Sequence, residues 1–302
     1  MGRCTIQLVL GPAGSGKSTY CNAIQEHCLS LGPQLRRNVH VINLDPAAEE
    51  FKYNVAFDIR DLVRVDEVME ELQLGPNGGL MYCMEYLLSN LDWLQDELNQ
   101  FDDEEYLLMD CPGQIELYTH VPIMRQIINQ MKNWGYNLVT VFVVDATFLC
   151  DASKFISGSL LSLSSMIALE LPNVNIVSKC DLVDKEEVER ILDIESAQML
   201  LQAEEYSASR RHDFNDTSKS TAPAEDAMNR KIQERKRQRN RLTEAICSLL
   251  DDFHMVSFVP LDITDEDSLN AVLAYADNAV NYGEDLEVRT MDFADDIGDD
   301  EN

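Results

Sequence analysis

Basic residues are scarce in this chain. Its 302 residues hold 24 Lys and Arg against 54 Asp and Glu, a formal net charge of −30. A surface of that sign repels phosphate backbones, which argues against direct nucleic-acid binding and suits basic protein partners. Part of the excess is local: Glu284–Asn302 carries nine acidic residues against Arg289 alone and reads as a disordered acidic tail. Long apolar runs are also missing. No stretch of about eighteen apolar residues suggests a membrane span. Phe155–Leu171 is interrupted by serines and reads instead as a buried helix with small residues on its packing face. No charged segment followed by an apolar one opens the chain, so no secretory signal is expected. The eight cysteines are scattered without a Cys-x-x-Cys pair, which argues against a zinc ribbon or redox motif and suits reduced thiols in an intracellular protein. The five histidines stand apart from one another, and none is assigned a catalytic role. No internal repeat is present.

What is present is one stretch that organises the rest: Gly11-Pro12-Ala13-Gly14-Ser15-Gly16-Lys17-Ser18-Thr19. The apolar run Thr5–Leu10 reads as a buried strand feeding into it, and Tyr20–Leu31 as a helix leaving it. Strand, glycine-rich loop and helix together make a phosphate cradle, because successive backbone N–H groups and the positive helix end converge on anionic oxygens. Lys17 is placed to reach the terminal phosphates and the Ser18 hydroxyl to ligate Mg²⁺. The chain is therefore expected to bind a nucleoside triphosphate.

Further apolar runs end in polar residues where a parallel sheet would present a ligand. Val39–Asn43 ends at Asp45, which reads as a phosphate or metal contact, or as the N-cap of a helix beginning at Pro46. Phe57–Leu62 and Val65–Leu72 read as an amphipathic connector to the turn Gly75-Pro76-Asn77-Gly78-Gly79, which opens a helix Leu80–Leu98 with an apolar stripe. Tyr106–Met109 ends in Asp110, placed for a second Mg²⁺ contact. Gly113 lets a backbone N–H approach the γ-phosphate, and Gln114 and Glu116 follow where a side chain can orient an attacking water. Leu138–Val144 and Val174–Val177 are two further strands, the latter followed by Ser178-Lys179-Cys180-Asp181. Asp181 there can accept hydrogen bonds from N1 and the exocyclic amine of guanine, with the Lys179 stem lying across the ring. Val256–Pro260 is a sixth strand and Ser268–Tyr282 a closing helix.

The expected architecture is α/β: a P-loop NTPase three-layer αβα fold with a mostly parallel central sheet and helical insertions. Residues 1–283 form one domain, with a mobile polar insertion at about 204–240, ahead of the acidic tail at 284–302. The basic run Asn229–Arg241 reads as a solvated helix face, with an import signal or a phosphate-facing patch as alternatives.

Taken in order, Gly11–Thr19, Asn43-Leu44-Asp45-Pro46-Ala47, Leu74-Gly75-Pro76-Asn77-Gly78 and Asp110-Cys111-Pro112-Gly113-Gln114-Ile115-Glu116-Leu117 resemble the GPN-loop GTPases over about Cys4 to Tyr282. The resemblance implies a SIMIBI-class, GTP-hydrolysing switch that works as a dimer, with GTP or GDP and Mg²⁺ near the subunit interface. It implies that Asn77, with Gly75 and Pro76, reaches the phosphates of the partner protomer, and that Asp45, Gln114 and Glu116 position or activate the hydrolytic water. It also implies a heterodimer with a GPN-loop GTPase 1 type protein (a homodimer being the alternative), and RNA polymerase II subunits as client. The implied setting is cytoplasmic, with shuttling to the nucleus, and no membrane. One position departs from the pattern. Ser178 stands where the guanine motif of such proteins begins with asparagine, whose amide braces the base loop against the phosphate loop, and the shorter serine is expected to brace it less. Two other functions compete: a nucleotide-stabilised scaffold or escort without catalysis, and a small-molecule P-loop kinase with an arginine-rich lid.

Overall fold

Alternation along the central strands explains the layering. In β1 (Arg3–Leu10) the side chains of Ile6, Leu8 and Leu10 enter one apolar cluster and Val9 the other. In β5 (Tyr136–Asp145) Leu138, Phe142 and Val144 oppose Val139, Val141 and Val143 in the same way. Strands buried on both faces require a helical layer on each side. A computed structural model describes residues 3–32, 37–149, 151–183, 241–252 and 256–282, together with Glu186, Val188, Leu192 and Met199. The insertion expected at about 204–240, most of the basic run and the acidic tail lie outside the described residues.

The remaining strands are β2 (Val39–Asn43), β3 (Val55–Asp58), β4 (Tyr106–Asp110), β6 (Asn173–Ser178) and β7 (Phe258–Pro260). They form one seven-stranded sheet in the order β3-β2-β4-β1-β5-β6-β7, with every pairing parallel. This is the expected three-layer P-loop architecture. On one face, α1 (Lys17–Ser30) and α9 (Glu266–Val280) pack through Tyr20, Ile24, Leu269, Val272 and Leu273. The other face is covered by α3 (Pro76–Ser89), α4 (Leu91–Leu98) and α6 (Ile123–Asn133), with Leu80, Met84, Leu87, Leu94, Ile127 and Ile128 buried. Each such side chain removed from water contributes about 1.5–3 kcal/mol. Further helices among the described residues are α2 (Val65–Leu72), α5 (Glu116–Thr119), α7 (Ala152–Leu169) and α8 (241–252).

Three expectations need correcting. A strand, β3, ends inside the expected connector at Phe57 and Asp58 and pairs with β2 at Val41–Val55 and Asn43–Asp58. The helix expected over Leu80–Leu98 begins earlier, with Gly75 as its N-cap and Pro76 in its first turn, and it breaks at Asn90 into α3 and α4. No helix follows Asp45. Its carboxylate accepts from Ala47 N–H at 3.0 Å in a turn, and the chain beyond it is irregular, with Phe51 and Tyr53 packed against the sheet.

By length and composition, α7 is the described helix apolar enough to cross a membrane. Its small residues lie against the fold instead: Ser159, Ser162 and Ser165 are buried, and Ser162 donates to the Asn175 carboxamide on β6. The seven described cysteines are buried and free of disulfides.

Candidate functional site

Five parallel strands, β1, β2, β4, β5 and β6, release their chains at the same edge of the sheet. In the order observed, β1 lies between β4 and β5, so the crevice beyond the strand ends opens beside it. The loop after β1 is shaped by close approach. Gly11 has φ +143°, and a Cβ there would lie 2.3 Å from the Val143 carbonyl oxygen. The loop leads directly into α1, whose N-terminal turn has no side-chain cap and no acidic residue. Those N–H groups lack intrahelical partners and carry the positive end of the helix dipole.

Lys17 crosses this loop, with Nζ donating to the Gly11 and Pro12 carbonyls at 3.2 Å each. Burial pushes its pKa down, and the nearby charges of Asp110 and Asp45 oppose that shift. Asp110 is 2% exposed at the end of β4. Burial pushes its carboxyl upward against hydrogen bonds from Ser18 and Tyr53 and the charge of Lys17. Asp45 is likewise raised by burial and opposed by the Ala47 N–H, Lys17 and Arg60. One buried cation thus faces two carboxylates kept from their ordinary solvation. Ser15 Oγ is buried beside this loop with no hydrogen-bond partner.

The segment after β4 returns to the phosphate loop. Gly113 packs so closely that a Cβ there would stand 2.8 Å from Ala13 Cα. The next residue, Gln114, donates from Nε2 to Asn77 Oδ1 at 3.1 Å. Asn77, with Gly75 and Pro76, is exposed at the start of α3, so the two motifs meet within one chain. Glu116 is exposed at the start of α5.

On the far side, Ser178 ends β6 and donates from Oγ to the Ser15 carbonyl, with the Val144 carbonyl 3.2 Å away. The serine thus braces the base loop against the phosphate loop despite its short side chain. Lys179 has φ +62°, and its Nζ donates to the Gly14 carbonyl at 2.8 Å and to the Asp145 carboxylate. Burial pushes Asp145 up, but the Lys179 and Thr147 hydrogen bonds prevail and hold it below the usual carboxylate range. Asp181 is exposed in the single 3-10 turn that follows.

Four residues with no role assigned from the sequence, Asn43, Tyr53, Asp58 and Arg60, also belong to the site. Asn43, fully buried, bonds Asp45 in both directions: its Oδ1 accepts from Asp45 N–H and its Nδ2 donates to the Asp45 carbonyl, both at 3.0 Å. Its Nδ2 also donates to Asp58 at 2.8 Å. Asp58 takes a two-pronged hydrogen bond from Arg60, which donates in turn to the Ala48 carbonyl at 2.9 Å. Tyr53 donates to Asp110 at 2.9 Å. Only the strand-end position of Asn43 hinted at any of this.

These residues fit a nucleotide phosphate with a hard cation. Ser18, Asp110 and Asp45 supply oxygen donors. Among the described residues no group of three or more His, Cys, Asp or Glu could hold a metal by itself, so substrate phosphates would complete such a cation's shell, as is usual for Mg²⁺. The sheet order, the glycine loop opening α1 and the strand-end aspartate define a P-loop nucleotide-binding protein.

Comparison with known proteins narrows this. A family model described as "Conserved hypothetical ATP binding protein" matches residues 9–282. The chain is 46% identical to GPN-loop GTPase 3 of Dictyostelium discoideum over 286 residues, 93% of this chain and 89% of the relative. It is 46% identical to GPN-loop GTPase 3 of Danio rerio, covering 94% and 90%. With the Saccharomyces cerevisiae protein of the same name it shares 43%, covering 92% of each. A GTPase from Pyrococcus abyssi, solved in apo form, shares the fold with a TM-score of 0.64 at 20% identity, covering 91% of this chain and 97% of that one. The chain belongs to the GPN-loop GTPase family.

Proposed function

We propose that this protein binds GTP with Mg²⁺, hydrolyses the γ-phosphate slowly by itself, and acts as a dimeric switch in the assembly and nuclear import of RNA polymerase II. The observation carrying the enzymatic part is the convergence of Lys17, Asp45 and Asp110 with the Gly113–Ala13 contact, which delivers Gln114 beside the phosphate loop. Backbone N–H groups of Gly14 to Thr19 and the Lys17 ammonium hold the phosphates and offset the charge of the transferring group. Ser18, Asp110 and Asp45 hold Mg²⁺, whose chemistry is charge neutralisation and orientation of the phosphate oxygens. Gln114 orients the attacking water, with Asn77, Asp45 and Glu116 as further candidates for that task. Asp181 selects guanine, with Lys179 and Ser178 fixing the base loop to the phosphate loop.

The switch and the client rest on family likeness. A GPN-loop GTPase 1 type protein is the proposed partner, and RNA polymerase II subunits the client of a cytoplasmic protein that shuttles to the nucleus. A nucleotide-stabilised scaffold is the second reading, favoured by the engagement of the Gln114 amide with Asn77 of the same chain. GTP and ATP hydrolysis by the purified chain, alone and mixed with a GPN-loop GTPase 1 type protein, with mass photometry on the same samples, separates the two. GTP-specific turnover that rises with heterodimer formation supports the switch. Tight GTP binding without turnover in either state leaves the scaffold, and preference for ATP refutes the role given to Asp181.

A further inference from the structure

Tyr53 lies outside every phosphate-binding motif, in the loop between β2 and β3, yet it is 5% exposed and its hydroxyl donates to Asp110 Oδ2 at 2.9 Å. The same carboxylate accepts a hydrogen bond from Ser18. A phenol brought in from a connecting loop thus shares one buried aspartate with the hydroxyl that opens α1.

The loop holding Tyr53 is secured along its length. At its start, Asn43 fixes the backbone of Asp45 on both sides and bonds Asp58 on the neighbouring strand. Arg60, paired with Asp58, donates to the Ala48 carbonyl and lies with its guanidinium carbon 4.5 Å from the Phe51 ring centroid. The Phe51 and Tyr53 rings are 5.2 Å apart. A continuous set of contacts therefore runs from Asp45 through Asn43, Asp58, Arg60 and Phe51 to Tyr53, and ends on Asp110.

We propose that Tyr53 is a positioning residue for the metal-holding carboxylate of Asp110, tied through Phe51, Arg60, Asp58 and Asn43 to the loop that carries Asp45. The inference rests on the reading of this site as one for a nucleotide with Mg²⁺. The physical basis is orientation. A buried carboxylate that accepts a hydrogen bond on one oxygen is restrained in rotation, which leaves its remaining lone pairs directed at the cation. The tyrosine hydroxyl is the partner suited to this, since a second cation there would compete with Mg²⁺ for the carboxylate.

The test is Tyr53→Phe in the full chain, which deletes one oxygen and keeps the ring packing against Phe51. The readout requires no turnover: dissociation of a fluorescent GDP analogue is followed while Mg²⁺ is titrated. The Mg²⁺ concentration that half-maximally slows release should rise about tenfold or more, the usual scale for losing an outer-shell partner, while affinity for the analogue in EDTA stays as in the wild type. Tyr106→Phe removes a buried hydroxyl that bonds Gln7 on the α1–α9 face, away from Asp110, and should leave the Mg²⁺ midpoint unmoved. An unchanged midpoint in Tyr53→Phe, or equal weakening in EDTA, overturns the inference by giving Tyr53 a purely structural role. If the wild type itself shows no Mg²⁺-dependent retention of the analogue, the nucleotide reading fails and this inference falls with it.

Discussion

Replacing Gly113 by alanine adds one methyl group at the tightest junction of the site. Its Cβ would stand 2.8 Å from Ala13 Cα and 3.1 Å from both Ala13 Cβ and Ala13 N. Carbon atoms in ordinary contact sit about 3.5–4.0 Å apart, so the phosphate loop and the Asp110–Gln114 segment must separate by roughly 0.7–1.2 Å. Gly113 does not have a positive φ, so alanine strains no backbone torsion and the effect is purely one of distance. Overpacking of this kind costs about 1–3 kcal/mol. For a domain of this size each kcal/mol lowers the melting temperature by about 2–4 °C, so the variant should melt cooperatively, about 2–12 °C below the wild type. Turnover is far more sensitive, since displacing a positioned group by about 1 Å costs on the order of 10²-fold. Single-turnover GTP hydrolysis with protein in excess, beside a melting curve on the same sample, reads both quantities. A roughly 100-fold slower rate with a cooperative melt is expected. A rate within about twofold of the wild type would refute the argument that the Gly113–Ala13 contact sets where Gln114 works.

Other perturbations separate the remaining parts of the site. Gln114→Leu keeps similar volume but removes the amide that donates to Asn77; GTP binding should be preserved and turnover lowered by about 10²-fold, and unchanged single-turnover hydrolysis would remove Gln114 from the mechanism. Ser178→Ala leaves the Ser15 carbonyl without its side-chain donor, at a cost of about 1–3 kcal/mol for a buried acceptor; both the melting temperature and GDP affinity should fall, and an unchanged melt would show that the serine does not brace the two loops. Asp58→Asn tests the strap at Arg60 through pH. Burial opposes ionisation of Asp58, but hydrogen bonds from Arg60 and Asn43 prevail and hold its pKa low. Such a group adds stability above its unfolded value of about 3.9 and loses it as the pH falls through the folded value. The melting-temperature gap between wild type and variant should therefore be steady from pH 7 to about 5 and narrow below about pH 4, and a gap that stays constant to pH 3 would deny the ion pair its role.

Where the sequence was readable, the chemistry was local. The loop Gly11–Thr19 is a strand end, a turn that alanine cannot make at Gly11 and a helix start, all within one continuous stretch. The strands β1, β4 and β5 are mostly apolar because both faces are covered. The short edge strand β3 gave no such signal. It has four residues and a neighbour on one side only, and half its length is not buried, so its pattern matches a charged connector. The turn at Asp45 carried every local mark of a helix start, and long-range contacts overrode them. Arg60 takes the Ala48 carbonyl and Tyr53 reaches Asp110, so the segment is held by partners that lie 12 and 57 positions away in sequence. Ser178 shows the same limit from the other direction. Compared with asparagine by side-chain length it reads as a weakened brace, yet β6 and the phosphate loop approach closely enough for a hydroxyl to span them: a Cβ on Gly16 would lie 3.5 Å from Ser178 Oγ. Residue identity states which bonds are available, and only the spacing of the strands states which bonds are made. That is why the phosphate-binding end of this site was legible from the sequence while Asn43, Tyr53, Asp58 and Arg60, which hold its carboxylates in place, were not.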